Sequence, residues 1–246
     1  MLSLQDAMVI YTTPDMVDTF RGLRKHASTL THIVPMQLED TKMATSYSAA
    51  FWQAQHRMDP ERGSHKDARL YWIWNEKTEF LWRTVDANPF QSAFFAWVDI
   101  GYFRSKAYNG QYMIRHIPSS LRKDQVLMLD VSSLIPKRLG KYVGGGFIGG
   151  YADGIQQWRT KYFAQLETHK HEFIGKDQPF MWRTCDATPG LCQLVVPKKG
   201  HGNRWFYMAP YMMGETQRDA NDTHARATRS PRGTRAGEVA LARVPV

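Results

Sequence analysis

Several classes of protein are excluded by what this chain of 246 residues has little of. It has only two cysteines, Cys185 and Cys192, which is too few for a disulfide framework or a cysteine-rich zinc site. Cysteines this sparse predict free thiols in a reducing compartment. The longest apolar runs fall well short of the roughly 18 residues of a membrane span, and residues 1–6 lack the basic start of a secretory signal. We therefore expect a cytoplasmic protein without a membrane span, at most peripheral to a membrane face.

Aromatic residues are missing from the end of the chain. All 31 Phe, Trp and Tyr residues lie before Gly214, whereas residues 215–246 contain six arginines, four acidic residues and mostly small side chains. Without bulky side chains such a segment cannot bury enough surface to offset the loss of chain entropy. We expect one globular domain over residues 1–214 and a disordered basic tail over residues 215–246.

The charge of the chain is strongly positive, with a formal net charge of +9. Such a balance suits polyanionic partners, which include phosphate-bearing ligands, nucleic acid and anionic membrane faces. The chain has no RRM, KH, zinc-finger or homeodomain pattern, so a nucleic-acid-binding module is the less favoured alternative.

Short apolar runs alternate with segments of helical periodicity along the first 214 residues. Apolar runs predict strands at residues 7–11, 32–36, 93–98, 126–129, 193–196 and 205–208. Helical spacing predicts helices at residues 14–27, 46–56, 67–85 and 151–169, with a glycine-rich turn at residues 143–150. This alternation favours an α/β fold with a mostly parallel or mixed sheet.

Two acidic residues come directly after predicted strands, Asp99 and Asp130. In open α/β sheets ligands bind outside the carboxyl ends of the strands, although an acid there also often starts a turn or caps a helix. Next to Asp99, Gly101 allows close approach of a ligand, and Arg104 can bind phosphate or pair with Asp99. A carboxylate in this setting suits a divalent metal that holds a diphosphate.

Glycines dominate the next candidate segment, in which Gly144, Gly145 and Gly146 are followed by Gly149 and Gly150. Backbone N–H groups of such a segment, followed by a helix, can bind phosphate, and close packing or a flexible loop are equally open interpretations. No GK[ST] follows, so the segment is not the phosphate loop of an NTPase.

The last candidates are polar residues in the second half of the chain. Asp177 and Gln178 either cap the following helix or face a cleft. Lys198, Lys199 and His201 lie among glycines, where the imidazole suits a metal or phosphate contact or is an ordinary surface histidine.

Several sequence blocks together resemble the HtrL/YibB family, a largely uncharacterised family found among bacterial lipopolysaccharide-core genes that is itself similar to GT-A glycosyltransferases. The blocks, which fall within residues 8–214, are FW at 51–52, DPE at 59–61, NPF at 88–90, FFAWVDIGYFR at 94–104, YVGGGFIGG at 142–150, GKDQ at 175–178 and WFY at 205–207.

The resemblance implies a GT-A-like α/β fold, with a mixed, mostly parallel sheet flanked by helices. It also implies a glycosyltransferase (EC 2.4 class) that moves a sugar from a nucleotide-sugar donor to a glycan or glycolipid acceptor. Asp99 would hold a divalent metal, Mn or Mg, with His201 as a further ligand. Asp177 would contact the donor sugar or act as the base, beside Gln178.

The resemblance assigns the other candidates to substrate binding. Cations would hold the diphosphate and small residues would shape the sugar or acceptor side; these residues are Arg104, Lys198, Lys199, Gly101, Gly144, Gly145 and Gly146.

Two departures from the family pattern accompany the resemblance. Gly101 stands where a DxD motif has its second acid, and the chain starts near the family's second strand, so we expect the sheet to lack the usual first strand. A truncated, catalytically inactive relative is therefore the alternative to an enzyme.

Overall fold

A seven-stranded sheet organises the computed structural model, which describes residues 1–103, 106–137, 140–200, 203–215 and 239–242. The strands are β1 Ala7–Thr12, β2 Thr31–Pro35, β3 Phe94–Val98, β4 Val126–Asp130, β5 Val143–Tyr151, β6 Cys192–Val195 and β7 Val239–Ala242. Their order is β2-β1-β7-β3-β5-β4-β6, and every pairing is parallel except the two that β5 makes. The predicted mixed, mostly parallel α/β sheet is confirmed.

Helices cover both faces of the sheet. They are α1 Val17–Leu23, α2 Lys42–Ser46, α3 Ala49–Met58, α4 Arg69–Ala87, α5 Ala152–Thr168, α6 Asp177–Ala187 and α7 Met208–Met212. Buried side chains of α2 to α6 pack on one face, and those of α1 and α7 pack on the other. None of the helices in the described residues combines the length and the apolar character needed to cross a membrane.

The alternation of side chains along each strand separates the two cores. In β3, Phe95 and Trp97 face the α4 side, whereas Phe94, Ala96 and Val98 face the α1 and α7 side. Because β3 is buried on both faces, its sequence is a continuous apolar run and was predictable as a strand. The same holds for β1 and β4, and the long helices α4 and α5 also match their predictions.

Two predicted local structures were wrong. Residues 143–150, expected as a turn, form β5, which runs antiparallel between β3 and β4. Residues 205–208, expected as a strand, belong instead to a 3₁₀ turn and the start of α7. There the Asn203 side chain accepts the N–H of Trp205 at 3.0 Å and starts the helical turn, which a run of four apolar residues does not reveal.

The prediction of free cysteines was also wrong. Cys185 in α6 and Cys192 in β6 form a disulfide, with their Cα atoms 5.5 Å apart and a separation of seven positions in sequence. The chain turns back sharply after α6 to enter the sheet, and this turn brings the two thiols together. Free thiols therefore no longer support the expected cytoplasmic location.

An interior position of the sheet is taken by a strand from the expected tail. β7 lies between β1 and β3 and pairs with both of them in parallel. Val239–Ala242 of the expected tail form this strand, while residues 216–238 and 243–246 lie outside the described residues, so the disordered tail stays a prediction. β7 thus covers the edge of β1 that faces β3.

Candidate functional site

A cavity of about 460 Å³ opens at the carboxyl end of β3. Its wall combines the residues after β3, the first residues of β5 and the start of α6. Because β5 runs antiparallel to β3, its first glycines lie at the same sheet edge as Asp99. The topology therefore gathers three segments that are distant in sequence around one space.

Asp99 leaves the sheet at this edge. Its backbone N–H donates to the Gly146 carbonyl at 3.0 Å, which continues the pairing of β3 with β5. Its Oδ1 accepts the indole N–H of Trp97 at 2.8 Å. The side chain stays 42% exposed, so the carboxylate is oriented by the protein and still open to the cavity.

Asp177 is the first residue of α6 and is almost fully buried. Its Oδ1 accepts the backbone N–H of Gln178 at 2.9 Å, and its Oδ2 lies 3.0 Å from the ammonium of Lys77. A negative side chain at a helix N-terminus is also favoured by the helix dipole. Asp177 thus accepts an N–H group of the first turn of α6 and also lies in the cavity wall.

Lys77 joins the two carboxylates. This lysine of α4 is only 5% exposed, and its Nζ lies 3.0 Å from Asp177 Oδ2 and 3.3 Å from Asp99 Oδ1. It also donates to the Gly145 carbonyl at 3.0 Å. Burial alone would lower the pKa of Lys77, but the two carboxylates outweigh burial and raise it above its ordinary value. The three side chains therefore form a fixed cluster with a net charge of −1.

Sequence reasoning did not assign Lys77 to the site. It lies on the apolar face of α4, one turn from Trp74 and Leu81, where it resembles a core position occupied by the wrong residue type. A charged residue on the apolar face of a helix needs a partner of opposite charge in the interior. This requirement was the sequence signal that could have pointed to Lys77.

Two glycines of β5 let the cluster form. A Cβ at position 145 would lie 2.8 Å from Asp177 Oδ2, and one at position 146 would lie 2.8 Å from the ring of Tyr102. Both distances are shorter than side chains tolerate, so only glycine permits these contacts. The glycine-rich segment therefore shapes the cavity through close packing.

Aromatic rings form the other walls of the cavity. Trp74 from α4 and Trp205, which is 37% exposed, line it together with Tyr102 and Phe206. Rings of this kind offer apolar faces to planar bases or to the C–H faces of sugars, while carboxylates bind hydroxyl groups. The cavity thus suits a ligand with both kinds of surface.

Most of the candidates from the sequence meet at this cavity. Those that line it are Asp99, Gly101, Gly144, Gly145, Gly146, Asp177 and Gln178. Lys198 and Lys199 are exposed and are not among its lining residues, whereas Arg104 and His201 lie outside the described residues. Lys176, which the sequence analysis passed over, lines the cavity and pairs with Glu61.

Asp130 at the end of β4 has a local role. Its Oδ1 accepts the backbone N–H of Ser132 at 2.8 Å, as in a turn, so the simpler of its two interpretations is confirmed.

The predicted divalent metal stays a prediction, since of its two ligands only Asp99 is described. In the described part of the chain, the group between Asp99 and Asp177 is the Lys77 ammonium, which is a poor fit for a cation at the same place. A second group of metal-ligand types, Asp59, Glu61 and His65, lies on the same side of the molecule.

Hydrogen bonds account for that second group. Asp59 Oδ2 accepts the Tyr71 hydroxyl at 2.6 Å and lies 2.7 Å from His65 Nδ1. Burial raises the pKa of Asp59, but these two contacts lower it more, so the carboxylate is stabilised by protein groups alone.

The fold and the cavity define an α/β protein with a candidate ligand site at the carboxyl edge of a mostly parallel sheet. The chain belongs to the HtrL/YibB family, because the family model described as "Bacterial protein of unknown function (HtrL_YibB)" matches residues 1–209. The suspected family is thereby confirmed. Neither a curated protein nor a solved structure matches the chain.

Proposed function

We propose that this protein is a glycosyltransferase of GT-A-like fold, which binds a nucleotide-sugar donor in the cavity beside Asp99 and transfers the sugar to a glycan or glycolipid hydroxyl. The observation that carries the proposal is the meeting of Asp99 and Asp177 in one aromatic-lined cavity. Its volume of about 460 Å³ falls within the range of small-molecule sites.

The two carboxylates differ in exposure, and this difference suggests different roles. Asp99 is 42% exposed and can accept a proton from an acceptor hydroxyl as the new glycosidic bond forms and the bond to the diphosphate breaks. Asp177 is buried and paired, so it is suited to orienting hydroxyl groups of the donor sugar together with the Gln178 amide. The Lys176 ammonium, which lines the cavity, can stabilise the departing diphosphate.

The test compares two isosteric substitutions at strand ends. The purified chain is incubated with a panel of UDP-, GDP-, ADP- and CMP-linked sugars, and release of the nucleotide is measured by chromatography. We expect Asp99→Asn to reduce the rate on the accepted donor by about 10²-fold or more, as for loss of a general base. Asp130→Asn, the same change at the end of β4 and outside the cavity, serves as the control and should leave the rate unchanged.

Two results would contradict the proposal. The first is equal turnover by Asp99→Asn and the unaltered chain. The second is a lack of both binding and turnover with every donor in the panel.

An inactive nucleotide-sugar-binding protein is the second candidate function. It is favoured by Gly101, which removes an acid from the site, and by the pairing of both carboxylates with Lys77. A rise in melting temperature with one donor, but no turnover of it with any acceptor, would support this candidate, because ligands of the folded state stabilise it.

A further inference from the structure

The ammonium of Lys77 lies where three protein oxygens converge. These are Asp177 Oδ2 at 3.0 Å, the Gly145 carbonyl at 3.0 Å and Asp99 Oδ1 at 3.3 Å. We infer that Lys77 takes the place of a divalent cation between the two carboxylates, and that the site binds its ligand without a resident metal ion. The inference deepens the proposed function and rests on it for any consequence in catalysis, whereas ion binding itself can be tested without a sugar.

The donor set explains why a cation belongs at this point. Two carboxylates and a backbone carbonyl are the ligands that hard divalent cations prefer. An ammonium group has three N–H donors. Lys77 donates to the Gly145 carbonyl at 3.0 Å and to Asp99 Oδ2 at 3.4 Å, and it forms an ion pair with Asp177 Oδ2 at 3.0 Å. Lys77 therefore supplies from the chain the positive charge that the two acids require.

Burial prevents Lys77 from giving way to an ion. The residue is 5% exposed, so its stem is enclosed by the protein, and its ammonium is held among the three oxygens. A divalent ion at hydrogen-bonding distance from Asp99 and Asp177 would face the fixed positive charge of Lys77.

Asp99 itself offers little more to a metal. The indole N–H of Trp97 already donates to Oδ1, and Gly101, two positions after Asp99, has no side chain that could supply a second ligand. The exposed part of the Asp99 carboxylate remains open to a ligand hydroxyl, which matches its role in the proposed transfer.

The experiment measures Mn²⁺ binding by electron paramagnetic resonance on the full chain, with no nucleotide sugar present. We expect the unaltered protein to show no saturable Mn²⁺ binding that depends on Asp99. Lys77→Ala removes the ammonium and leaves the three oxygens, so this variant should bind one Mn²⁺ at least tenfold more tightly. Adding Asp99→Asn to Lys77→Ala should abolish the gain, and Lys161→Ala, at an exposed position of α5, should show no gain.

A second measurement covers the case in which Lys77→Ala is unfolded in buffer. Thermal unfolding is then followed with Mn²⁺ and, separately, with methylammonium, which restores the missing group. Recovery of a cooperative transition with either cation supports the inference. A variant that neither binds Mn²⁺ nor recovers with either cation overturns it, and so does Mn²⁺ binding by the unaltered protein that Asp99→Asn removes.

Failure of this inference is distinguishable from failure of the proposed function. Turnover of a nucleotide sugar that requires Mn²⁺ would refute the role of Lys77 and leave the glycosyltransferase proposal standing. A chain that accepts no nucleotide sugar would refute the proposed function. The Mn²⁺ titrations of the unaltered protein and of Lys77→Ala would still test the role of Lys77.

Discussion

Replacing Gly145 by alanine should disrupt the cluster of Lys77, Asp99 and Asp177 from the β5 side. The added Cβ would lie 2.8 Å from Asp177 Oδ2 and 3.3 Å from Gln178 Cγ. Gly145 belongs to a strand in the sheet, so the Asp177 side chain has to yield by several tenths of an ångström. That movement acts directly on the 3.0 Å pair between Asp177 and Lys77.

The size of the effect follows from two contributions. Overpacking of a filled site costs about 1–3 kcal/mol. If the buried Asp177 also loses its partner, the loss approaches the roughly 3–5 kcal/mol measured for broken buried ion pairs. We expect the free energy of unfolding to fall by about 2–4 kcal/mol, which lies between these limits.

The assay is urea unfolding followed by tryptophan fluorescence, with stability compared at equal slope of the transition. Gly63→Ala is the matched control, because no heavy atom lies within 4 Å of its added Cβ, and its effect should stay within about 0.5 kcal/mol. Combining Gly145→Ala with Asp177→Ala removes the contact, so the two losses should not add. A Gly145→Ala protein that unfolds at the same midpoint as Gly63→Ala would refute the reasoning.

Two further predictions concern stability. Replacing Cys185 and Cys192 together by alanine should lower the free energy of unfolding by about 2 kcal/mol, because the unfolded chain is then less restricted. Reduction of the unaltered protein with dithiothreitol should have the same effect, and an unchanged midpoint of urea unfolding in dithiothreitol would contradict this prediction. Burial raises the pKa of Glu76 to about 7 although it accepts the N–H groups of Lys42 and Met43. Between pH 4.5 and 7 the folded state keeps a proton on Glu76 that the unfolded chain releases, so the free energy of unfolding should fall by about 3 kcal/mol as the pH rises. Urea unfolding at each pH measures this dependence, and Glu76→Gln should weaken it.

The strands with continuous apolar sequences were readable from the sequence, and the glycine-rich strand was not. β1, β3 and β4 are short runs of bulky residues, which predict buried strands directly. β5 has no such signal, because its pairing depends on side chains from other segments. A Cβ at Gly149, for instance, would lie 2.9 Å from the ring of Phe94, so the glycine is there for the packing of β3.

The site was predictable as a set of acids and glycines but not as a cluster. Asp99 and Asp177 stood out by their positions after a strand and before a helix, and both line the cavity. Lys77 did not stand out, because its role depends on its closeness to Asp99 and Asp177 in space, which a local sequence pattern does not reveal. The disulfide between Cys185 and Cys192 was missed for the same reason, because pairing depends on proximity in space.

The place of β7 has a consequence for how the molecule assembles. Among the described elements, β7 comes last in sequence, and the hydrogen-bonded ladder reaches from β1 to β3 only through it. Until β7 has been synthesised, the edges of β1 and β3 that it pairs with are unpaired, and unpaired strand edges favour association with other chains. Because closure of the sheet requires pairing between β1 and β7, which are far apart in sequence, we expect it to be a slow step of folding.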